Sequence, residues 1–254
     1  MVTRVKNMQH AFTRTEWLIG KQALEKLSQS TVAVFGIGGV GSFAAEALAR
    51  SGIGTLVLID YDLVSITNLN RQIHADMTTI GKPKVEVMKQ RILNINPGIN
   101  VICHAEFYRP ETANKLIIDD YDYVVDAIDT IASKIDLVVT CKTKGIPVIS
   151  SMGAGNKMDP TAFRVGDIYE TSVDPIAKIM RSKLRKLGIQ SLKVVFSTEI
   201  PTKPKYASDG PDCINGEGSK KPKNPPGSIA FVPSVAGLIM AAEVVRDLID
   251  WPGN

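Results

Sequence analysis

The stretch "TVAVFGIGGVGS", residues 31–42, limits the available folds more than any other part of the chain. A short unbroken apolar run suits a strand buried on both faces of a parallel sheet. Gly36, Gly38, Gly39 and Gly41 follow at once, and a helical pattern runs on from about Val40 to Ser51. Glycines at such a junction let the backbone turn sharply and approach a phosphate. The helix opening there offers unpaired N–H groups and the positive end of its dipole. A second run, "TLVLID", ends on Asp60, nineteen residues after Gly41. In nucleotide-binding folds the acid that takes the ribose hydroxyls lies about 20 residues on. Strand, glycine loop, helix and acid together point to a nucleotide, beyond what tight helix–strand packing alone would need.

The surrounding chain keeps the rhythm of such a fold. Helical periodicity marks 13–28, 84–94, 111–118 and 131–144, and strands are expected at 100–105, within 121–129 and at 146–150. Strand alternating with helix predicts an α/β, Rossmann-like, doubly wound and mainly parallel sheet. After Ser151 the rhythm changes. A strand is expected near 161–169, a helix at 174–188, a Pro/Gly/Lys/Ser-rich loop at 199–227 and a closing helix at 234–250. This reading divides the chain into a nucleotide-binding core with an N-terminal helix, residues 1–155, and a C-terminal extension of the same domain, 156–254. The apolar run 229–245 is broken by Pro233 and Glu243 and is shorter than the roughly 20 residues of a membrane span, so a buried helix is expected. The first residues, "MVTRVKNMQHAF", lack the apolar core of a signal peptide, which predicts a cytoplasmic protein. Cys103, Cys141 and Cys213 form no C-x-x-C pair, so neither a disulfide framework nor a structural zinc is expected.

The glycine loop alone does not separate NAD from ATP. The segment "SITNLNRQIH", 65–74, packs Asn68, Asn70, Arg71 and Gln72 into five positions. A helix end largely satisfies the pyrophosphate of NAD. Adenylation must also stabilise charge on a departing pyrophosphate, which favours a planar cation and a metal ion. Arg71 supplies such a cation, and the amides of Asn68, Asn70 and Gln72 bond phosphate or brace the loop. "GKPKVEVMKQR" places Lys82 and Lys84 at a helix start, and "DAID" sets Asp126 and Asp129 just beyond strand four. That is the sheet edge where such folds bind ligands, and a carboxylate there suits Mg²⁺. Asp62 reads as a turn or cap residue with access to the metal site. An NAD-dependent oxidoreductase rests on the glycine loop alone, and a nucleotide sensor without chemistry is a further reading.

"GIGGVGS", "LIDYDLVSITNLNRQ", "GKPKVE" and "DAIDT" resemble the nucleotide site of the ubiquitin-activating-type adenylyltransferases. The resemblance implies ATP and Mg²⁺, with Asp60 on the ribose, Asn68, Arg71 and Lys84 on the phosphates, Gln72 in support and Asp129 on the metal. Arg71, Lys84 and Asp129 would be the catalytic groups. Arg14, in "FTRTEWLIG", resembles an arginine that crosses into the ATP site of the second subunit, which implies a homodimer. Activators of sulfur-carrier proteins in this superfamily generally carry two zinc-binding C-x-x-C pairs, and this chain departs from that pattern.

The second half narrows the resemblance. "RQIHA", "ISSMGAGNKMDPT", "DPIAKIMRSKLRKLGI" and "AFVPSVAGLIM" look like the tRNA threonylcarbamoyladenosine dehydratases. These adenylate the threonyl carboxylate of a modified adenosine near the anticodon and then close a ring. An adenylating activator of a ubiquitin-like sulfur carrier remains the alternative. The charge distribution fits an RNA partner. Between Pro175 and Gly227 there are eleven Lys or Arg against four Asp or Glu, a balance of +7, while the whole chain carries +4 and the remainder therefore −3. Lys178, Arg181, Lys183, Arg185 and Lys186 are expected to hold tRNA phosphates, with Lys220, Lys221 and Lys223 in the following loop. Cys213 is the candidate thiol for a thioester step, and a sulfur-relay protein is a further candidate partner. Cys103 and Cys141 read as buried structural residues, and His74 as bracing the arginine loop.

Overall fold

A computed structural model of the chain describes residues 10–205 and 226–252. At its centre is one seven-stranded sheet in the order β3-β2-β1-β4-β5-β7-β6. The strands are β1 (Thr31–Phe35), β2 (Thr55–Ile59), β3 (Asn100–His104), β4 (Tyr123–Asp126), β5 (Val148–Ser151), β6 (Phe163–Asp167) and β7 (Lys193–Ser197). All neighbours run parallel except β6 and β7. β4 and β5 are buried throughout, as central strands of a parallel sheet with both faces covered are. The edge strands β3 and β6 expose part of their length.

The helices are α1 (Thr13–Ile19), α2 (Lys21–Gln29), α3 (Gly41–Ser51), α4 (Lys84–Ile95), α5 (Pro110–Leu116), α6 (Ile131–Lys144), α7 (Pro175–Lys186) and α8 (Phe231–Leu248). Side-chain alternation along β1 divides them into two layers. Val32 and Val34 join α3, α4 and α8 in one core, and Ala33 and Phe35 join α5, α6 and α7 in the other. The fold is thus an α/β, doubly wound, mainly parallel sheet. From β1 the order proceeds to β2 and β3 on one side and to β4 and β5 on the other. The carboxyl ends of β1 and β4 therefore flank the switch point where such sheets bind ligands.

Three local features differ from the sequence reading. The helix expected over 13–28 is two helices, because Gly20 adopts φ 83° and ψ 162°, which no helix accommodates. The closing helix begins earlier, at Phe231. Pro233 lies in its first turn, where an N–H would have no intrahelical partner. The third difference is β7, which the sequence reading leaves out. It enters between β5 and β6, so the single sheet draws strands from both sides of residue 155. α8 lies close against α3: a Cβ added at Gly237 would come within 2.2 Å of the Val40 carbonyl oxygen. No helix among the described residues is long and apolar enough to cross a membrane. Cys213, Lys220, Lys221 and Lys223 lie outside the described residues.

Candidate active site

The carboxyl ends of β1, β2, β4 and β5 open into one cleft of about 580 Å³. Its floor is the glycine loop. Gly36 has φ 88°, and an added Cβ would meet the Ala127 carbonyl oxygen at 2.7 Å. Gly41 is closer still, its Cβ position lying 1.8 Å from the Gly36 carbonyl oxygen, so β1 can join α3 this tightly only through glycine. Gly36, Gly38 and Gly39 line the cleft, while Gly41 closes the turn behind them. A Cβ on Gly38 would meet nothing within 4 Å, which leaves the start of α3 open to an anion.

Asp60 follows β2 and ties the two strand ends together. Its Oδ2 accepts from the Ile37 N–H at 2.6 Å and its Oδ1 from the Asp62 N–H at 2.8 Å. Burial raises its carboxyl above the ordinary carboxylate range, against the opposing pull of Lys84. Each oxygen keeps a lone pair for a ribose hydroxyl. Lys84, the first residue of α4, is 5% exposed. Its Nζ lies 2.6 Å from Asp62 Oδ2 and 4.0 Å from Asp60 Oδ1. Asp62 thus pairs with Lys84 at the cleft wall. Lys82 is exposed and does not line the cleft.

The arginine stretch forms a braced loop. Ile66–Asn68 is a single 3₁₀ turn, closed by Asn68 Oδ1 accepting from the Ser65 N–H at 3.0 Å. Arg71 Nη1 donates to the Thr67 carbonyl at 2.8 Å and to Asn70 Oδ1 at 3.0 Å, and Asn70 Nδ2 donates to the Ser228 carbonyl at 2.9 Å. One donor atom of the guanidinium is thereby anchored beside the cleft. Asn68 and Gln72 also line it. The buried Gln72 Oε1 has no partner among the described residues, a cost that a ligand or water relieves.

On the β4 side, Asp126 is fully buried. Its Oδ2 accepts from Ser150 Oγ at 2.5 Å and pairs with Lys134 Nζ at 3.0 Å. Lys134 also donates to the Ile128 carbonyl at 3.1 Å. Asp126 and Lys134 therefore fix the loop that carries Asp129. That carboxylate is exposed at the cleft and, among the described residues, accepts only a 3.3 Å hydrogen bond from Thr130 Oγ1. No group of three or more His, Cys, Asp or Glu among the described residues is placed to hold a metal ion. A single outward carboxylate still suits Mg²⁺ taking its other ligands from phosphate and water. Sequence reasoning missed Lys134, as it did Tyr61 and Phe107, which stack edge to face at the cleft with centroids 4.8 Å apart.

The remaining candidates lie elsewhere. Arg14 is exposed on α1 and does not line this cleft. His74 is buried behind the arginine loop, and neither ring nitrogen has a partner among the described residues. Burial pushes it down to about 4, with Lys84 and Arg91 adding to the effect. Burial raises Cys103 to about 11 and Cys141 to about 12, which keeps both as inert thiols. On α7, Lys178, Lys183 and Lys186 point to solvent. Arg185 lies over the Tyr169 ring at 5.1 Å. Arg181 is committed to the protein itself, donating to the carbonyl and hydroxyl of Thr171.

The same arrangement of chain occurs in known proteins. This chain is 54% identical to the tRNA threonylcarbamoyladenosine dehydratase of Bacillus subtilis, over 95% of this chain and 96% of that protein. It is 37% identical to the Escherichia coli protein of that name, over 94% and 93%. The crystal structure of the E. coli tRNA N6-threonylcarbamoyladenosine dehydratase, TcdA, in complex with ATP superposes with a TM-score of 0.83 at 35% identity, covering 94% of each chain. With residues 13–254 matching in one unbroken stretch, the chain belongs to the ThiF family.

Proposed function

We infer that this protein uses ATP to dehydrate threonylcarbamoyladenosine in tRNA. The threonyl carboxylate oxygen bonds to the α-phosphorus as the bond to pyrophosphate breaks. A carbamoyl atom then attacks the activated acyl carbon, a ring closes and AMP leaves. The water lost overall is carried in the conversion of ATP to AMP and pyrophosphate. The second step is intramolecular, so holding the two reacting atoms together accounts for most of its rate.

One observation carries the reading: a single cleft brings the glycine loop, Asp60, Arg71, Lys84 and Asp129 together and continues along the turn after β5 to Pro175 and Ile176 at the start of the basic helix α7. Asp60 holds the ribose, and the start of α3 with Arg71 and Lys84 holds the phosphates. Tyr61 and Phe107 offer aromatic faces to a base. Asp129 would hold Mg²⁺, which supplies charge neutralisation as pyrophosphate departs. Lys178, Lys183 and Lys186 hold RNA phosphates, which positions the substrate without reading its sequence. Two copies pair, bringing Arg14 of one to the cleft of the other. A tRNA substrate is consistent with a cytoplasmic protein.

Incubation with ATP and tRNA bearing threonylcarbamoyladenosine should yield a nucleoside lighter by one water, with an equivalent of pyrophosphate. Pyrophosphate release with a carrier protein ending in Gly-Gly, and none with tRNA, would replace this reading with the sulfur-carrier activator.

A further inference from the structure

The cleft is also walled by the turn running from Gly153 to Lys157 after β5. A buried ion pair sits in that wall. Lys157 Nζ lies 2.7 Å from Asp174 Oδ2, and the two residues are 3% and 1% exposed. Lys157 also donates to the Gly153 carbonyl. Through its other oxygen, Oδ1, Asp174 accepts from the Gly153 N–H at 3.4 Å and from the N–H groups of Ile176 and Ala177 at 2.9 and 3.0 Å. The last two belong to the first turn of α7, so Asp174 is the helix cap. One carboxylate is therefore shared by the cleft wall and the start of the basic helix.

The arrangement costs free energy on two counts. Burying two charges is expensive even when they pair, and an apolar pair of similar volume is often no less stable. The residue before the cap, Val173, has φ 44°, a strained conformation for a β-branched side chain. Strain of this kind persists where surrounding contacts over-determine the backbone. Capping alone does not explain the buried pair, because an N-cap needs no lysine.

We propose that the Lys157–Asp174 pair is a clasp that fixes this wall of the cleft relative to α7, so that tRNA held on Lys178, Lys183 and Lys186 presents its threonyl carboxylate in register with the bound nucleotide. Lys157 and Asp174 are positioning residues in this scheme, acting through the Gly153–Lys157 turn. The inference rests on the tRNA reading above. The side chains of the clasp bond neither the glycine loop nor the lysine side chains of α7, so it sets turnover and leaves both affinities alone.

The test compares the full-length protein with K157M and with K157M/D174N, the double variant leaving no unpaired buried charge. ATP affinity and tRNA affinity should stay within about twofold of the parent. Turnover of saturating tRNA should fall about a hundredfold, the scale set by misplacing reacting groups by an ångström. A purely structural role would instead lower the melting temperature and weaken both affinities together, and that outcome overturns the clasp. So does unchanged turnover in the double variant beside an active parent. A parent that turns over no tRNA at all overturns the dehydratase reading and this inference with it.

Discussion

Asp129 and Arg71 differ from the other charged residues of the cleft in how little of the fold depends on them. Among the described residues, Asp129 is exposed with Thr130 as its one side-chain hydrogen-bond partner, and Arg71 leans on one carbonyl and one amide of its own loop. D129A and R71A should therefore fold with nearly parental melting temperatures and lose about 10²–10³-fold in pyrophosphate release, the range for removing one group that stabilises developing charge. Normal turnover in D129A would remove it from the metal site. Lys84 is different: it is buried against Asp62 and Asp60, so its replacement confounds stability with catalysis. His74 contributes to acid stability. Folding holds it down at about 4, below its ordinary 6.5, mainly through burial. The unfolded chain takes up that proton first, so the contribution is complete above about pH 6.5 and is lost as pH falls toward 4. Thermal melts from pH 7 to 4.5 should show a smaller loss in H74Q than in the parent. Equal slopes would mean that His74 is already protonated in the fold.

Helix α7 has two faces. Its apolar residues Ala177, Met180 and Leu184 are fully buried in the core, while Lys178, Lys183 and Lys186 face solvent. Replacing each of these lysines by alanine should weaken tRNA binding and reduce the salt slope by about 1 per residue. R181A should instead lower the melting temperature and leave that slope unchanged, because Arg181 anchors Thr171. The basic face was legible because acids are absent from it. Strands β1, β2, β4 and β5 were legible because a parallel strand covered on both faces is rich in apolar residues, and the edge strand β3 because it stands between two helical patterns. β7 escaped because "KVVFS" lies beyond Ser151, where the strand–helix alternation no longer marks it, and its burial depends on β6 and β5 closing around it. The same limit applied to the cleft. Asp60, Arg71, Lys84 and Asp129 stood in ordered motifs. Lys134, Lys157 and Asp174 are single residues whose meaning comes from partners 8 and 17 positions away. "DPIA" did carry a cap signature, an Asp before a Pro at the first helical position, but nothing in it indicates the lysine on the other oxygen.

At the level of the whole molecule, α1 is the element least accounted for by one copy of the chain. None of its residues is buried, and Trp17 and Leu18 are 70% and 74% exposed. Arg14 stands on the same helix, away from the cleft of its own subunit. A two-fold pairing that covers α1 and carries Arg14 into the neighbouring cleft accounts for both facts, because a C₂ interface supplies each site with the same residue from the other copy. Complementation between defective subunits tests this arrangement. R14A keeps Asp129 and D129A keeps Arg14, so each homodimer has two defective sites. In a hybrid, the subunit with an intact Asp129 receives an intact Arg14 from its partner, while the other site lacks both. Random reassociation makes half the dimers hybrid with one competent site of two, so the mixture should recover about a quarter of parental turnover. If Arg14 served its own subunit, every hybrid site would still lack one group and mixing would give only the mean of the two crippled enzymes.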